Sequence, residues 1–189
     1  MEGFNRKNRP MKKDDYVKIL DVFLEFKNSF NNKELAQGIG TKYYTLLELV
    51  PKEGVALKPG QKVYIGDGKR DEILFVKRQI RYDELSNDAK SELIFNLEDI
   101  VKENEEKFLR FFNVAGPITL RKHSLEMIPG VGKKHLQGIL NERSKGEFKS
   151  FEDISKRLSF LQNPARALAM RLEEEIKGTS DIKFLIYWK

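Results

Sequence analysis

The spacing of apolar residues changes from a strand-like to a helical pattern near residue 85 of this chain of 189 residues, and that change limits the folds it can adopt. Residues 16–80 contain four short runs rich in β-branched and aromatic residues, separated by turn residues, which is the pattern of strands. From Leu85 to Phe108 apolar residues recur every three or four positions, as they do along one face of a helix. We therefore expect an α+β protein in which a β module precedes a helical part.

The four predicted strands cover residues 16–26, 43–50, 62–65 and 73–80, and residues 34–37 are expected to form one helical turn. Such a module forms a small antiparallel barrel or sheet. The strand-like C-terminal segment, residues 179–189, is expected to close the barrel as a fifth strand or to dock on the partner subunit of a dimer.

Residues 86–112 predict one long amphipathic helix or two in sequence, with Ser86 as the N-cap and Gly116-Pro117 as the stop. The acidic residues lie on the polar face of this segment. It is long enough to link two lobes, although packing alone would also explain it.

The most specific motif is the segment LEMIPGVGKKHLQGIL, which begins at Leu125. A helix over Leu120–Ile128 is expected to end at Pro129, and a second helix to follow the Gly-x-Gly turn. Glycines let the backbone approach a phosphate closely, and the N–H groups that open the second helix attract anions. The candidate binding residues are Gly130, Val131, Gly132, Lys133 and Lys134, with Val131 anchoring the loop between the helices.

This segment resembles the helix-hairpin-helix motif of nucleic-acid-binding proteins, which contacts the phosphate backbone without reading base edges. Residues 148–177 resemble a second copy whose hairpin, residues 160–164, lacks the Gly-x-Gly turn, so we assign that copy to packing. Arg166 is its one candidate backbone contact.

The N-terminal segment LKPGQKVYIG resembles the strands and turns of small OB-type barrels, which bind single strands through aromatic and basic residues. Candidate phosphate contacts there are Lys69, Arg70, Lys77, Arg78 and Arg81. Candidate stacking residues are Tyr43, Tyr44, Tyr64 and Phe75, although most aromatic residues of so small a module must be core.

Taken together, segments such as VPKEGVALKPGQKVYIGDGKRDEI and NEEKFLRFFNVAGPIT resemble an archaeal family, domain of unknown function 655, over residues 15–178. Its members are described as predicted OB-fold nucleic-acid-binding proteins. Their genes often lie near a ribosomal RNA adenine dimethyltransferase gene, which implies RNA, and the ribosomal subunit, as partners.

The distribution of charge agrees with a polyanionic partner. Residues 1–82 carry a net charge of +6, residues 83–118 carry −5 and residues 119–189 carry +5. We expect a disordered basic arm over residues 1–14, an OB-like domain over 15–82, an acidic linking helix region over 83–116 and a paired helix-hairpin-helix domain over 117–178.

Composition argues against several classes of function. The chain has no cysteine and two histidines, His123 and His135, neither of them within a catalytic constellation, so we expect no metal, no cofactor and no catalysis. No apolar run reaches the length of a membrane span, and we expect a cytoplasmic protein.

The expected function is non-catalytic nucleic-acid binding, with RNA favoured over DNA. A DNA repair or recombination accessory and a protein-interaction scaffold remain as alternatives.

Overall fold

The computed structural model describes residues 13–26, 32–180 and 182–188. An antiparallel five-stranded sheet, curled into a half-barrel, forms its N-terminal part. The strands are β1 (Tyr16–Phe26), β2 (Asn32–Gly40), β3 (Leu46–Pro51), β4 (Lys62–Tyr64) and β5 (Ile73–Gln79). Their order across the sheet is β4-β1-β2-β3-β5, so β4 and β5 form its edges. The predicted antiparallel module is confirmed at this level. Most of the predicted basic arm lies outside the described residues, but Asp14, its last residue, is buried in the fold.

The helical turn predicted at residues 34–37 is wrong, because these residues belong to strand β2. Gly38 allows this strand to approach β1, since a Cβ there would lie 2.3 Å from a methyl carbon of Val17. The buried Gln37 has partners for its amide: its Nε2 donates to the carbonyl of Glu84 (3.1 Å), and its Oε1 accepts from the N–H of Ser86 (2.8 Å). A polar side chain on a buried strand is therefore satisfied by the segment that starts the first helix.

The long amphipathic segment forms two helices in sequence, α1 (Asn87–Glu103) and α2 (Glu105–Val114), which is one of the two predicted arrangements. Ser86 is the N-cap of α1, with its Oγ accepting from the N–H of Ala89 (3.0 Å) and donating to Asp21 on β1 (2.6 Å). Helix α1 packs against β1 on one side and against the last helix of the chain on the other. It is a central packing element, and one hydrophobic cluster joins the sheet to the helices through it.

The predicted helix over Leu120–Ile128 is wrong. The chain instead forms a β-hairpin, β6 (Pro117–Thr119) and β7 (Lys122–His123), followed by a 3-10 turn at Ser124–Met127. Leu120 lies at the tip of the hairpin, where its side chain is fully exposed, whereas Leu125 and Ile128 are buried as expected of a core face. The remaining helices are α3 (Lys133–Lys145), α4 (Phe151–Arg157) and α5 (Pro164–Lys177).

The described part of the C-terminal segment does not add a strand to the sheet. Its described residues, 182–188, lie against α2 and α5 and contain a turn at 185–187. The rings of Phe184 and Trp188 contact Phe111 of α2 at centroid distances of 5.4 and 5.1 Å. The fully buried Glu175 of α5 accepts hydrogen bonds from the N–H groups of Leu185 and Ile186 (3.1 Å each). The apolar run is thus covered by helices, which removes the need for a strand partner.

Within the described part of the chain, no helix is both long and apolar enough to cross a bilayer.

Candidate nucleic-acid interface

The loop after the 3-10 turn and the first two residues of α3, which together we call the glycine loop (residues 129–134), are built on a tight turn. The N–H of Val131 donates to the carbonyl of Ile128 (3.0 Å), and the side chain of Val131 is buried in the core, as predicted. Gly130 has φ +85°, a left-handed conformation that only glycine adopts without strain. Gly132 is extended (φ −89°, ψ −179°), so its backbone does not require glycine. A Cβ at Gly132 would meet no atom within 4 Å, which leaves this position open to a ligand.

Gly132 is the N-cap of α3 and offers no capping side chain to the helix. Its carbonyl accepts the first helical hydrogen bond, from the N–H of Leu136 (2.8 Å). The N–H groups of the first turn therefore have no partner within the helix and carry its positive dipole end. The first turn contains no acidic residue that would neutralise them.

Lys133 and Lys134 extend the positive charge of this helix terminus. Both side chains are exposed, and neither forms an ion pair with any residue that the structure describes. An exposed ammonium with no carboxylate partner can neutralise a phosphate without first giving up an existing contact. The glycine loop thus combines an open backbone, free N–H groups and two available cations.

His135 supports the loop in a way that the sequence motif did not indicate. Its Nδ1 lies 2.7 Å from the carbonyl oxygen of Gly130, so Nδ1 carries the proton and donates it. Its ring stacks on Phe160 at a centroid distance of 4.1 Å and an interplanar angle of 5°. One side chain therefore ties the glycine loop to the second hairpin. The available sequence signal was its place in the first turn of α3, five residues after Gly130.

The second hairpin has the packing contacts that its departure from the motif predicts. Asn163 caps α5 by accepting from the N–H of Arg166 (2.9 Å). Glu98 of α1 accepts from Asn163 Nδ2 (3.1 Å) and pairs with the Arg166 guanidinium (3.3 Å). The candidate backbone contact of Arg166 is thus already occupied by a carboxylate of the protein.

Three of the five basic residues predicted near strand β5 also hold carboxylates. Lys77 pairs with Glu48 (2.8 Å), and Arg78 pairs with both Glu48 (3.4 Å) and Glu84 (2.5 Å). The hydrogen bond from Arg78 lowers the pKa of Glu84, and the hydrogen bond to Glu48 raises the pKa of Lys77. Each partner stabilises the charged form of the other, so these cations are bound to the fold rather than held ready for phosphate.

The third member of the basic group that pairs with a carboxylate is Arg81, and the other two, Lys69 and Arg70, form no ion pair with a described residue. Arg81 is exposed and pairs with Asp83 (3.1 Å). The Nε of Arg70 donates to the carbonyl of Gly66 (2.9 Å). Lys69 is exposed and makes no ion pair within the described residues. Of these five residues, Lys69 is thus the one that is exposed without an ion pair to a described residue.

The four candidate stacking residues occupy different settings. Tyr64 meets Tyr16 edge-on (5.3 Å), and its hydroxyl accepts from the N–H of Gly68 (3.1 Å). Tyr44 is buried, Phe75 is exposed on β5, and Tyr43 lines a cleft that is described below.

Among the described residues, no group of three or more His, Asp or Glu side chains is arranged to hold a metal ion.

This chain is similar to other proteins in both sequence and fold. The chain is 38% identical over 188 residues to the uncharacterized protein MJ0038 of Methanocaldococcus jannaschii, an alignment that covers 98% of this chain and 86% of that protein. The fold matches the crystal structure of Af1531 from Archaeoglobus fulgidus with a TM-score of 0.84 and 38% identity, over 92% of this chain and 99% of that one. Residues 14–189 match the family described as "Protein of unknown function (DUF655)". The chain therefore belongs to the DUF655 family.

Proposed function

We propose that the protein binds nucleic acid without catalysis, RNA in preference to DNA, and grips the phosphate backbone with the glycine loop. The observation that carries this proposal is the pair of exposed lysines at the open N-terminus of α3 that form no ion pair with any described residue. Such a surface neutralises phosphates without reading base edges, so it is expected to bind many sequences alike. The preference for RNA rests on the family resemblance, and ribosomal RNA is the first ligand to test.

Two finer structural proposals accompany this function. The pairing of β1 with both β2 and β4 supports a small OB-type half-barrel, although no further strand among the described residues joins its edge strands β4 and β5. The glycine loop, α3, α4 and α5 support a paired helix-hairpin-helix module, in which a 3-10 turn stands where the motif has its first helix. In this arrangement the glycine loop is the principal phosphate contact. Lys69 is a secondary one, and Arg70, Lys77, Arg78 and Arg81 bind a ligand only if their present contacts open.

Fluorescence anisotropy with three labelled ligands tests the proposal: a structured ribosomal RNA fragment, a single-stranded RNA and a DNA duplex. The variant Lys133→Ala/Lys134→Ala should weaken binding roughly tenfold or more, since a hydrogen bond to a charged group contributes about 1.5–3 kcal/mol. Lys58→Ala/Lys149→Ala is the matched control, because these side chains are also exposed and lack ion pairs with described residues.

Gly132→Ala provides a second, uncharged probe. The added methyl group fits the fold but covers the approach to the N–H groups of α3, so binding should weaken while stability is kept. Equal weakening by the test and control lysine pairs would show that the glycine loop is not the contact. Binding of none of the three ligands would favour a protein-interaction scaffold, and tighter binding of the duplex would favour the DNA alternative.

A further inference from the structure

A cleft of about 1510 Å³ lies away from the glycine loop. It is bounded by the β2–β3 turn, the junction of α1 and α2, and the C-terminal segment. Binding sites for small molecules commonly have volumes of about 300–1,000 Å³. This cleft is therefore large enough for one nucleotide and for part of the next nucleotide of a strand.

The lining of the cleft is strongly basic, with six basic and two acidic side chains. Three of the basic residues have carboxylate partners: Lys62 pairs with Glu103 (2.9 Å), Arg81 with Asp83 (3.1 Å) and Lys177 with Glu173 (3.0 Å). The remaining three make no ion pair with any described residue, and they are Lys42, Lys107 and Lys183. A concave surface with this excess of positive charge attracts anions.

Lys107 is the most informative of these cations because it is half-buried. Its Nζ lies 3.5 Å from the hydroxyl of Tyr44 and 5.3 Å from the centre of the Tyr44 ring. Burial lowers the pKa of Lys107, since the ammonium is partly removed from water. A bound anion would supply the counter-charge that the described residues do not give it.

The floor of the cleft is held in a strained conformation at Tyr44. This residue has φ 57°, a left-handed conformation that is an outlier for a bulky side chain and that recurs at ligand sites. The turn is fixed by Asp14, whose carboxylate accepts from the N–H groups of Lys42 and Tyr43 (2.8 Å each). The floor of the cleft at Tyr44 is therefore organised before any ligand binds.

Aromatic rings complete the lining. Tyr187 is 66% exposed at the rim, and Tyr82 and Trp188 line the wall beside it. Combined aromatic and cationic surfaces bind nucleotides, because bases stack on rings while phosphates pair with cations.

We propose that this cleft is a nucleotide-binding site, in which the phosphate lies against Lys107 and the base stacks on Tyr187. The nucleotide is either free or one unit of a single strand, and both sources present the same base and phosphate. The site is distinct from the glycine loop, and the proposal holds whether or not that loop binds a backbone.

Trp188 allows a direct test, because it is the one tryptophan in the sequence and lines the cleft. Its fluorescence, excited at the red edge of its absorption, is titrated with the four ribonucleoside monophosphates, adenosine, inorganic phosphate and a short single-stranded RNA. Isothermal titration calorimetry with the same ligands gives the affinities independently. The variants are Lys107→Met, Lys107→Arg and Tyr187→Ala, with Lys156→Met as the control for loss of one exposed lysine outside the cleft.

The proposal predicts saturable binding of a nucleoside monophosphate that is tighter than binding of adenosine or of phosphate alone. Lys107→Met should weaken it about tenfold or more, Lys107→Arg should largely restore it, and Lys156→Met should leave it unchanged. Tyr187→Ala should weaken nucleotide binding but not phosphate binding. A much higher affinity for the single-stranded RNA identifies the nucleotide as part of a chain, and equal affinity identifies a free nucleotide.

Two results would overturn the inference: no binding of any nucleotide or RNA up to millimolar concentration, or equal loss of affinity in Lys107→Met and Lys156→Met. Inorganic phosphate binding as tightly as the monophosphates would overturn the role of the aromatic wall. Gly132→Ala separates the two sites, because it should leave monophosphate binding intact even where it abolishes backbone binding.

Discussion

The C-terminal segment is held in place by Glu175, and replacing this residue gives a sharp test of the packing described above. Its carboxylate has no exposure to solvent and accepts hydrogen bonds from the N–H groups of Leu185 and Ile186 and from the Nε of Arg171 (3.1 Å each). Arg171 is itself buried and also donates to the carbonyl of Ile182 (2.5 Å). One buried ion pair thus holds the segment at Ile182 and again in the turn that precedes Trp188.

Glu175→Ala should lower the free energy of unfolding by about 3–5 kcal/mol, which is the usual cost of removing one partner from a buried ion pair. The two N–H groups would add about 1–3 kcal/mol each if they stayed buried without an acceptor. If the segment is released into water, both N–H groups become hydrated and this additional cost does not arise. We therefore expect a loss of about 3–5 kcal/mol together with detachment of the segment.

Urea denaturation followed by Trp188 fluorescence measures both effects, because emission shifts to the red when an indole becomes exposed. Glu174→Ala is the matched control: Glu174 also pairs with Arg171 (3.2 Å), but its side chain is 45% exposed. An exposed pair contributes about 0–1 kcal/mol, so the control should lose no more than that. If Glu175→Ala costs no more than Glu174→Ala and leaves the emission unshifted, the buried ion pair does not hold the segment.

Three further predictions follow from single positions. Gly130→Ala should lower the free energy of unfolding by about 1–2 kcal/mol in urea denaturation, because φ is positive at this residue. Gly132→Ala should change the free energy of unfolding very little, because an added Cβ meets no atom there. Equal costs for the two variants would contradict the loop geometry. Burial, with the nearby charge of Arg143, lowers the pKa of His123, so the unfolded state binds more protons as the pH falls below about 6.5. Stability should therefore fall from pH 7.5 to pH 5 more in the wild type than in His123→Asn, and parallel profiles would refute this. Asp14→Ala should cost about 2–3 kcal/mol in urea denaturation, because two N–H groups of the β2–β3 turn lose their acceptor; a neutral effect would refute the anchoring role.

The elements that the sequence predicted correctly are those whose signal is local. Strand β1 has a dense run of β-branched and aromatic residues, and α1 has both a helical period and the N-cap Ser86. The glycine loop was likewise recognisable, because the turn, the buried Val131 and the start of α3 all depend on adjacent residues.

The errors come from partners that are distant in the sequence. Strand β2 lies in a mostly polar segment and was predicted to form only a helical turn, yet Gln37 is satisfied by the start of α1 and Gly38 is required by the close approach of β1. The apolar residues Leu120, Leu125 and Ile128 led to the prediction of a helix, but Leu120 is exposed at the tip of a β-hairpin.

The basic residues near β5 also have partners that are distant in the sequence, and for this reason the sequence does not show whether they can bind a ligand. Lys77 and Arg78 look available in the sequence, because Glu48 lies about thirty residues away along the chain. Strand β5 is antiparallel to β3, and the register Glu48↔Arg78 places these charges side by side. Only the folded sheet shows that these cations are already neutralised.

The most direct test of the proposed function is the salt dependence of RNA affinity for the wild type and for Lys133→Ala/Lys134→Ala. Phosphate binding releases counterions, so each phosphate contact contributes about −0.7 to −0.9 to the slope of log K against log salt. We predict that the double variant binds more weakly at every salt concentration and that its slope is shallower by about 1 to 2 than that of the wild type. Identical slopes for the two proteins, or a wild-type slope near zero, would contradict phosphate gripping by the glycine loop.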